Sequence, residues 1–270
     1  MTAAPGGPRH TLRIGGLMTV LVIKTTVREP AALFFLILFP ILMLVAFGSI
    51  FHFEIEGTGV KFRQYFVAGI IASSVFGTAF LNLSVGIAAQ QHEGSLRQLA
   101  AAPLPKASFF IGQIGAATII TVGQIIVMLI VGILAFDVQF PDAGGWLTLA
   151  WIVPMGVAAG CTMGIAITAI IPSARAAPAI TNGPYICLQI ISGVFFPFHD
   201  LPGWMQWVAS PFPIRWMAQG LRSVFLPDDF RYQEVNQSWE LEWVAIVLGI
   251  WIVAGLLFTM RTFRWDRRGG

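Results

Sequence analysis

The chain has 270 residues, 56% of them hydrophobic and 11% charged, with a formal net charge of +3. A soluble globular domain carries about 25% charged residues, so this composition excludes one and places most of the chain in lipid. Six runs without a charged side chain, 30–51, 66–89, 107–136, 143–174, 176–198 and 243–260, reach the roughly 18 residues that a helix rising about 1.5 Å per residue needs to cross a hydrocarbon core.

Residues 9–28 precede the first run. At 100° per residue, Arg9, Arg13, Lys24 and Arg28 fall within an arc of roughly 100°, while Leu12, Met18, Val22 and Ile23 lie on other faces. This predicts a helix in the inner interface with its basic face toward headgroups or a protein partner; the alternative is a solvated basic leader, favoured by the helix-weakening Gly15 and Gly16. No cleavable signal-peptide pattern is expected before the first run, which would serve as an uncleaved anchor. Pro30 suits the first turn of that run, and Pro40 inside it is predicted to kink it. An exposed turn follows at 52–65, with Glu54, Glu56, Lys61 and Arg63 around Gly57 and Gly59.

The second run carries Asn82 and Ser84 among small residues; helix packing is the first reading of them, and lining a substrate path the second. Residues 90–106, QQHEGSLRQLAAAPLPK, form a short charged interval between two apolar runs. Ser95 can cap a helix whose Leu96, Leu99 and Ala100 share one face, and Pro103 and Pro105 stop it. Glu93 and Arg97 are four apart, a pairing distance on a helix, although Gly94 interrupts it. A stub with an apolar ridge and a charged rim is what a partner in water can grip; an ordinary solvated turn is the equal alternative.

The third run exceeds what a bilayer requires and is expected to tilt or extend beyond it, with Gln113 and Gln124 as interhelical hydrogen-bond partners. The fourth contains Pro154 and ends at a minimal inner turn, 172–175. The fifth is bent at Pro184 and carries Asn182 and Gln189. After Phe195, Pro202, Pro211 and Pro213 break an apolar stretch too short to cross, predicting two re-entrant or interfacial outer helices within 199–226. Trp204, Trp207 and Trp216 fit an aromatic belt at headgroup depth. A polar loop, 228–242, and a last run ending in the basic tail RTFRWDRR complete the chain. The whole reads as an all-α integral membrane protein: one domain over 1–270, with six transmembrane helices, an N-terminal interfacial helix and short re-entrant helices before the last span.

Six spans put both termini on one side. With the termini inside, only Lys61, Arg63, Arg215, Arg222 and Arg231 of the 16 Lys and Arg residues lie outside, which predicts cytoplasmic termini. The net positive charge then belongs to an inner basic rim, and nucleic-acid binding is not expected. Cys161 and Cys187 fall within spans and read as small apolar residues.

Several chemistries are missing. No lysine follows the glycine-rich GxxxxGK[ST] pattern that cradles phosphates, and His92 and Glu93 are not followed by the second histidine of HExxH. No cofactor or metal site is therefore expected in this chain. His199 and Asp200 are the one candidate acid–base pair, but adjacent residues diverge on a helix, so a structural turn is preferred. The run cores hold no Asp, Glu, Lys, Arg or His, whereas ion-coupled carriers place such groups in mid-membrane. If cargo moves, its energy comes from elsewhere.

Three stretches carry a family resemblance: VREPAALFFLILFPILML at the first run, EGSLRQLAAAPLPKASFFIGQ, which loosely matches E-x-G-[ST]-L-x-x-L-x-x-x-P-L, and SGVFFPFHDLPGWMQWVASPFPIRWMAQGLRSV. With these in order over nearly its whole length, the chain resembles permeases of the ABC transporter type-two export family, membrane subunits of drug, lipid and polysaccharide exporters. The resemblance implies a half-transporter in the plasma membrane: two permease subunits, identical or homologous, above two cytoplasmic ABC ATPase subunits that hold ATP and Mg. It maps ATPase coupling onto Glu93, Gly94, Ser95, Leu96, Arg97 and Leu99 within the 90–106 loop, and an interfacial helix onto 9–28, with Arg9, Arg13, Lys24 and Arg28 at membrane lipids. It places Phe39, Asn82, Asn182, Gln189 and Phe195 among candidates for the cargo path. Where the pattern often has Thr-Leu-Glu this chain has Ser95, Leu96 and Arg97, so a matched ATPase is expected. Efflux of an amphipathic drug or lipid, with antibiotic resistance as its consequence, is the leading expectation. The alternatives are a permease for polysaccharide export, an intramembrane lipid-modifying enzyme using His199 and Asp200, and a structural scaffold.

Overall fold

The computed structural model describes residues 7–101, 105–136, 138 and 140–263. Helix α1 (Pro8–Val27) leads into α2 (Pro30–Leu33), a π-helical segment (Phe34–Leu38) and α3 (Phe39–Ile50), which together form one helical rod. The disturbance expected from Pro40 takes the form of that π segment, which ends two residues before the proline. Helices α4 (Phe62–Gly77) and α5 (Leu83–Glu93) are joined through a second π segment (Thr78–Asn82), and α6 (Ser95–Ala101) follows after Gly94. Then come α7 (Lys106–Phe136), α8 (Ala143–Ile167), α9 (Ala177–Ile191), α10 (Gly203–Ala209), α11 (Pro213–Phe225) and α12 (Leu241–Thr262). Among the described residues there is no strand; a single antiparallel bridge between Glu54 and Lys61 closes the turn after α3. The protein is an all-α membrane protein.

Among the described residues, four helices are long and apolar enough to cross a bilayer: Phe62–Glu93, Ala107–Phe136, Ala143–Ile170 and Leu241–Thr262. The first of these is the axis of the fold, with 83% of its apolar window buried, against 22% for the last. It is surrounded by α3, α7, α8 and α11, and its small residues let α9 and the segment after α9 approach. A Cβ on Gly69 would lie 2.2 Å from the Val194 carbonyl oxygen, and one on Gly77 would lie 2.5 Å from the Tyr185 hydroxyl.

The first apolar run forms the continuous helical rod from Pro30 to Ile50, whereas the fifth forms a shorter helix than expected. The fifth yields only 15 helical residues, about 22 Å of rise, because Gly193 turns the backbone at φ +72°. Residues beyond it continue as an irregular but buried segment, with Ser192, Gly193, Val194, Pro197 and Phe198 enclosed. Its polar backbone is met by side chains: Tyr65 Oη donates to the carbonyls of Gly193 (2.9 Å) and Phe196 (3.1 Å), and Arg222 Nη1 donates to Gly193 (3.3 Å). Irregular backbone is tolerated away from water only when so satisfied.

The prolines break the following stretch into α10 and α11, as expected, but α11 is no surface helix. It packs against α4, α8, α9 and α12, and most of its residues are buried. Trp204 and Trp207 are exposed, whereas Trp216 is buried with its indole donating to the Ser210 carbonyl at 2.6 Å. Trp216 is therefore a packing residue and not part of an aromatic belt. The turn at 52–61 is likewise less exposed than expected: Ile55 and Val60 pack with Tyr65, Leu226, Phe230 and Trp239 into a small second core.

Candidate functional site

Two regions hold the residues that the sequence singled out, the end of the bundle where α5 meets α6 and the outward faces of the helices. At the first, Gly94 adopts φ +79° and terminates α5, the left-handed conformation that glycine takes without a steric cost. Its carbonyl accepts from Gln98 N, and so opens α6. Ser95 does not cap this helix; its hydroxyl donates back to the Gln90 carbonyl at 3.2 Å. Leu96 is fully buried and Leu99 packs on the main core. The apolar ridge expected to meet a partner is thus turned into the chain's own core, because burying two leucines there stabilises the stub more than leaving them in water. The side chains that α5 and α6 expose are, apart from the small Ala101, polar: His92, Glu93 and Gln98. Arg97 lies on α6, and its side chain, like Pro103, falls outside the described residues.

Helix α1 packs along α7 through small residues. A Cβ on Gly112 would lie 2.5 Å from Met18 Cβ, one on Gly115 would lie 2.6 Å from Thr19 Oγ1, and one on Gly15 would lie 2.5 Å from Ile111 Cγ2. Ser108 Oγ donates to the Thr11 carbonyl at 3.1 Å. The excess length of α7 is the platform for this crossing. Gly15, which in sequence only weakens a helix, is one of its contact points; the spacing of Ser108, Gly112 and Gly115 was the available signal. Arg9, Arg13, Lys24 and Arg28 all face away from α7 and are exposed, but so are Leu12, Leu17, Val20 and Leu21. The outward face is both basic and apolar, a mixture that an interfacial helix carries.

Of the path candidates, Phe39, Asn82 and Asn182 are exposed, and the π segment bearing Asn82 packs beside α9, which bears Asn182. Neither asparagine amide has a hydrogen-bond partner among the described residues, although both sit on apolar helices. Gln189 and Phe195 are half-buried and already engaged. Gln189 Nε2 donates to Ser73 Oγ, beside a bond from Tyr185 Oη to the Ser73 carbonyl at 2.7 Å. Phe195 packs against Phe47 and Phe66, with ring centroids 6.2 and 6.1 Å away. These two serve the α4–α9 junction, and Ser73 and Tyr185, which no sequence pattern marks, complete it.

At the opposite end of the bundle, Arg222 is almost completely enclosed and binds Glu234 with two hydrogen bonds, Nε to Oε1 at 2.6 Å and Nη2 to Oε2 at 3.0 Å. Burial opposes its charged form, but the Glu234 carboxylate outweighs this and raises the guanidinium further. Arg215 is held over the rings of Trp216 (3.8 Å) and Phe198 (4.6 Å), with Glu240 at 3.7 Å. Burial first, then repulsion from Arg222, pull it down to about 10. His199 and Asp200 do not diverge: on a single turn, Phe198–Asp200, the imidazole Nε2 lies 3.3 Å from a carboxylate oxygen. No hydroxyl or thiol among the described residues is hydrogen-bonded to that imidazole.

Comparison with known proteins agrees with this architecture. The family model for the ABC-2 type transporter matches residues 16–226. The chain is 26% identical over 239 residues to the putative transport permease ycf38 of Porphyra purpurea, covering 86% of this chain and 79% of the relative. It is 25% identical over 196 residues to ABC transporter G family member 20 of Dictyostelium discoideum, covering 72% of this chain and 26% of the relative. It is also 23% identical over 192 residues to the probable multidrug ABC transporter permease YbhR of Escherichia coli, covering 70% and 50%. The chain thus spans about a quarter of the Dictyostelium protein and half of YbhR. With the family model matched from α1 through α11, and the bundle and its apolar helices in place, the chain belongs to the ABC-2 type transporter family of membrane permeases.

Proposed function

We propose that this chain is the membrane half of an ATP-driven exporter in the plasma membrane, moving an amphipathic drug or lipid-like molecule outward. Energy comes from two separate ABC ATPase subunits that hold ATP and Mg and dock below the 90–106 loop. Two copies of the permease, or this chain and a homologue, enclose the path between them. The first and fifth apolar helices complete six crossings, with both termini cytoplasmic, and α10 and α11 form the re-entrant outer unit.

The observation that carries this reading is the pair of unpartnered amides on the outward faces of Asn82 and Asn182. An amide in hydrocarbon without a partner is strongly unfavourable; a water-lined path or a second subunit removes the penalty. Name-level support comes from YbhR, described as a probable multidrug ABC transporter permease. The ATPase contact falls on the exposed Glu93 and Gln98, with Gly94 and Ser95 shaping the turn, while Leu96 and Leu99 support it from within.

Co-expression with the candidate ATPase, affinity purification and ATP hydrolysis in proteoliposomes test the assignment. Replacing Glu93 and Gln98 together by lysine is expected to abolish co-purification while membrane insertion is retained. Assembly that survives this double change would sink the docking site, and a chain that never co-purifies with an ABC ATPase would sink the function.

A further inference from the structure

Pro40 has no N–H, so the carbonyl four residues earlier, Leu36, lacks the donor that an α-helix would supply. Leu36 and Pro40 are both buried, where an unmet carbonyl is unfavourable. The donor comes from another helix: Gln124 Nε2 of α7 donates to the Leu36 carbonyl. The other end of the same buried amide is also engaged, because Thr78 Oγ1 donates to Gln124 Oε1 at 3.0 Å. Leu36 is the centre of the first π segment and Thr78 opens the second. One side chain therefore joins the two places among the described residues where the helical register slips by a residue, a local feature frequent at functional sites.

We propose that Gln124 is a positioning residue whose amide clamps Leu36 to Thr78, holding both π segments in register. The clamp sets the face that the rod from α2 to α3 turns outward, the face bearing Phe35 and Phe39, whose rings lie 6.2 Å apart. Its consequence for cargo rests on the transport reading above; its geometry does not.

Two measurements on the full-length chain in lipid nanodiscs test the clamp, neither involving ATPase or cargo, so its failure is distinguishable from failure of the transport reading. In the first, Cys161 and Cys187 are replaced by serine and spin labels are placed at Phe39→Cys and Ile126→Cys, both exposed positions. Gln124→Leu is expected to shift or broaden the distance distribution by about 3 Å or more, within the roughly 8 Å chord of a one-residue rotation at side-chain radius. An unchanged distribution in the folded variant overturns the proposal. In the second, Pro40→Ala restores a backbone donor for Leu36, so the loss of heat-resistant folded chain caused by Gln124→Leu should largely disappear in the Pro40→Ala background. Equal loss in both backgrounds overturns it as well. Should Gln124→Leu not fold, Thr78→Val loosens the clamp from its other end and is expected to change the distances in the same sense by less; no change there also counts against the clamp.

Discussion

The α1–α7 crossing makes a sharp prediction through Gly112. A Cβ placed there meets Met18 Cβ at 2.5 Å and the Met18 and Thr19 backbone at 3.2 and 3.3 Å. Carbon atoms pack best at about 3.5–4.0 Å, so Gly112→Ala forces α1 away from α7 by about 1 Å. Overpacking of this kind costs about 2–3 kcal/mol where backbone must move, and better helix propensity returns about 1 kcal/mol. The net loss of about 1–2 kcal/mol corresponds to a roughly 5- to 30-fold rise in the open population of α1. Hydrogen exchange of α1 amides in the purified chain reads this directly. Gly16→Ala is the control: nothing lies within 4 Å of the added carbon, so only the propensity gain of about 1 kcal/mol remains and protection should increase. If Gly112→Ala protects α1 as well as the wild type does, or if Gly16→Ala loosens it, the close-crossing reasoning is wrong.

Arg222→Ala leaves Glu234 buried without its partner and should cost about 3–5 kcal/mol, read as loss of folded chain on size exclusion, with Arg222→Lys intermediate because it cannot reproduce both carboxylate bonds and the Gly193 contact. Cys187 is exposed on α9 and Cys161 is buried. A membrane-permeant maleimide should label the first and not the second in the detergent-solubilised chain, and equal labelling would contradict the packing of α8. In native membranes, oxidative cross-linking of Cys187 between copies is expected if α9 helices face one another; its complete absence would argue against pairing through that helix.

Residence in lipid, an all-helical fold, the breaks around Pro202, Pro211 and Pro213 and the short stub after Gly94 were legible from sequence, because run length, charge content and proline position depend on one segment at a time; Pro154 and Pro184 nevertheless lie inside unbroken helices. Which face of each segment is turned inward was not. Spans are apolar all round, so hydrophobic periodicity does not separate a packed face from a lipid-facing one. Leu96 was assigned outward by its helix face, Trp216 by residue type and Gln189 by the family resemblance, and each is engaged inside the chain. Gln124 was expected to bond between helices, but its partners Thr78 and Leu36, like the role of the α7 glycines, were decided only when α4, the first helical rod and α1 were brought against α7. A close crossing and a shared hydrogen bond are properties of pairs of segments, and such pairs exist only once the tertiary structure has formed.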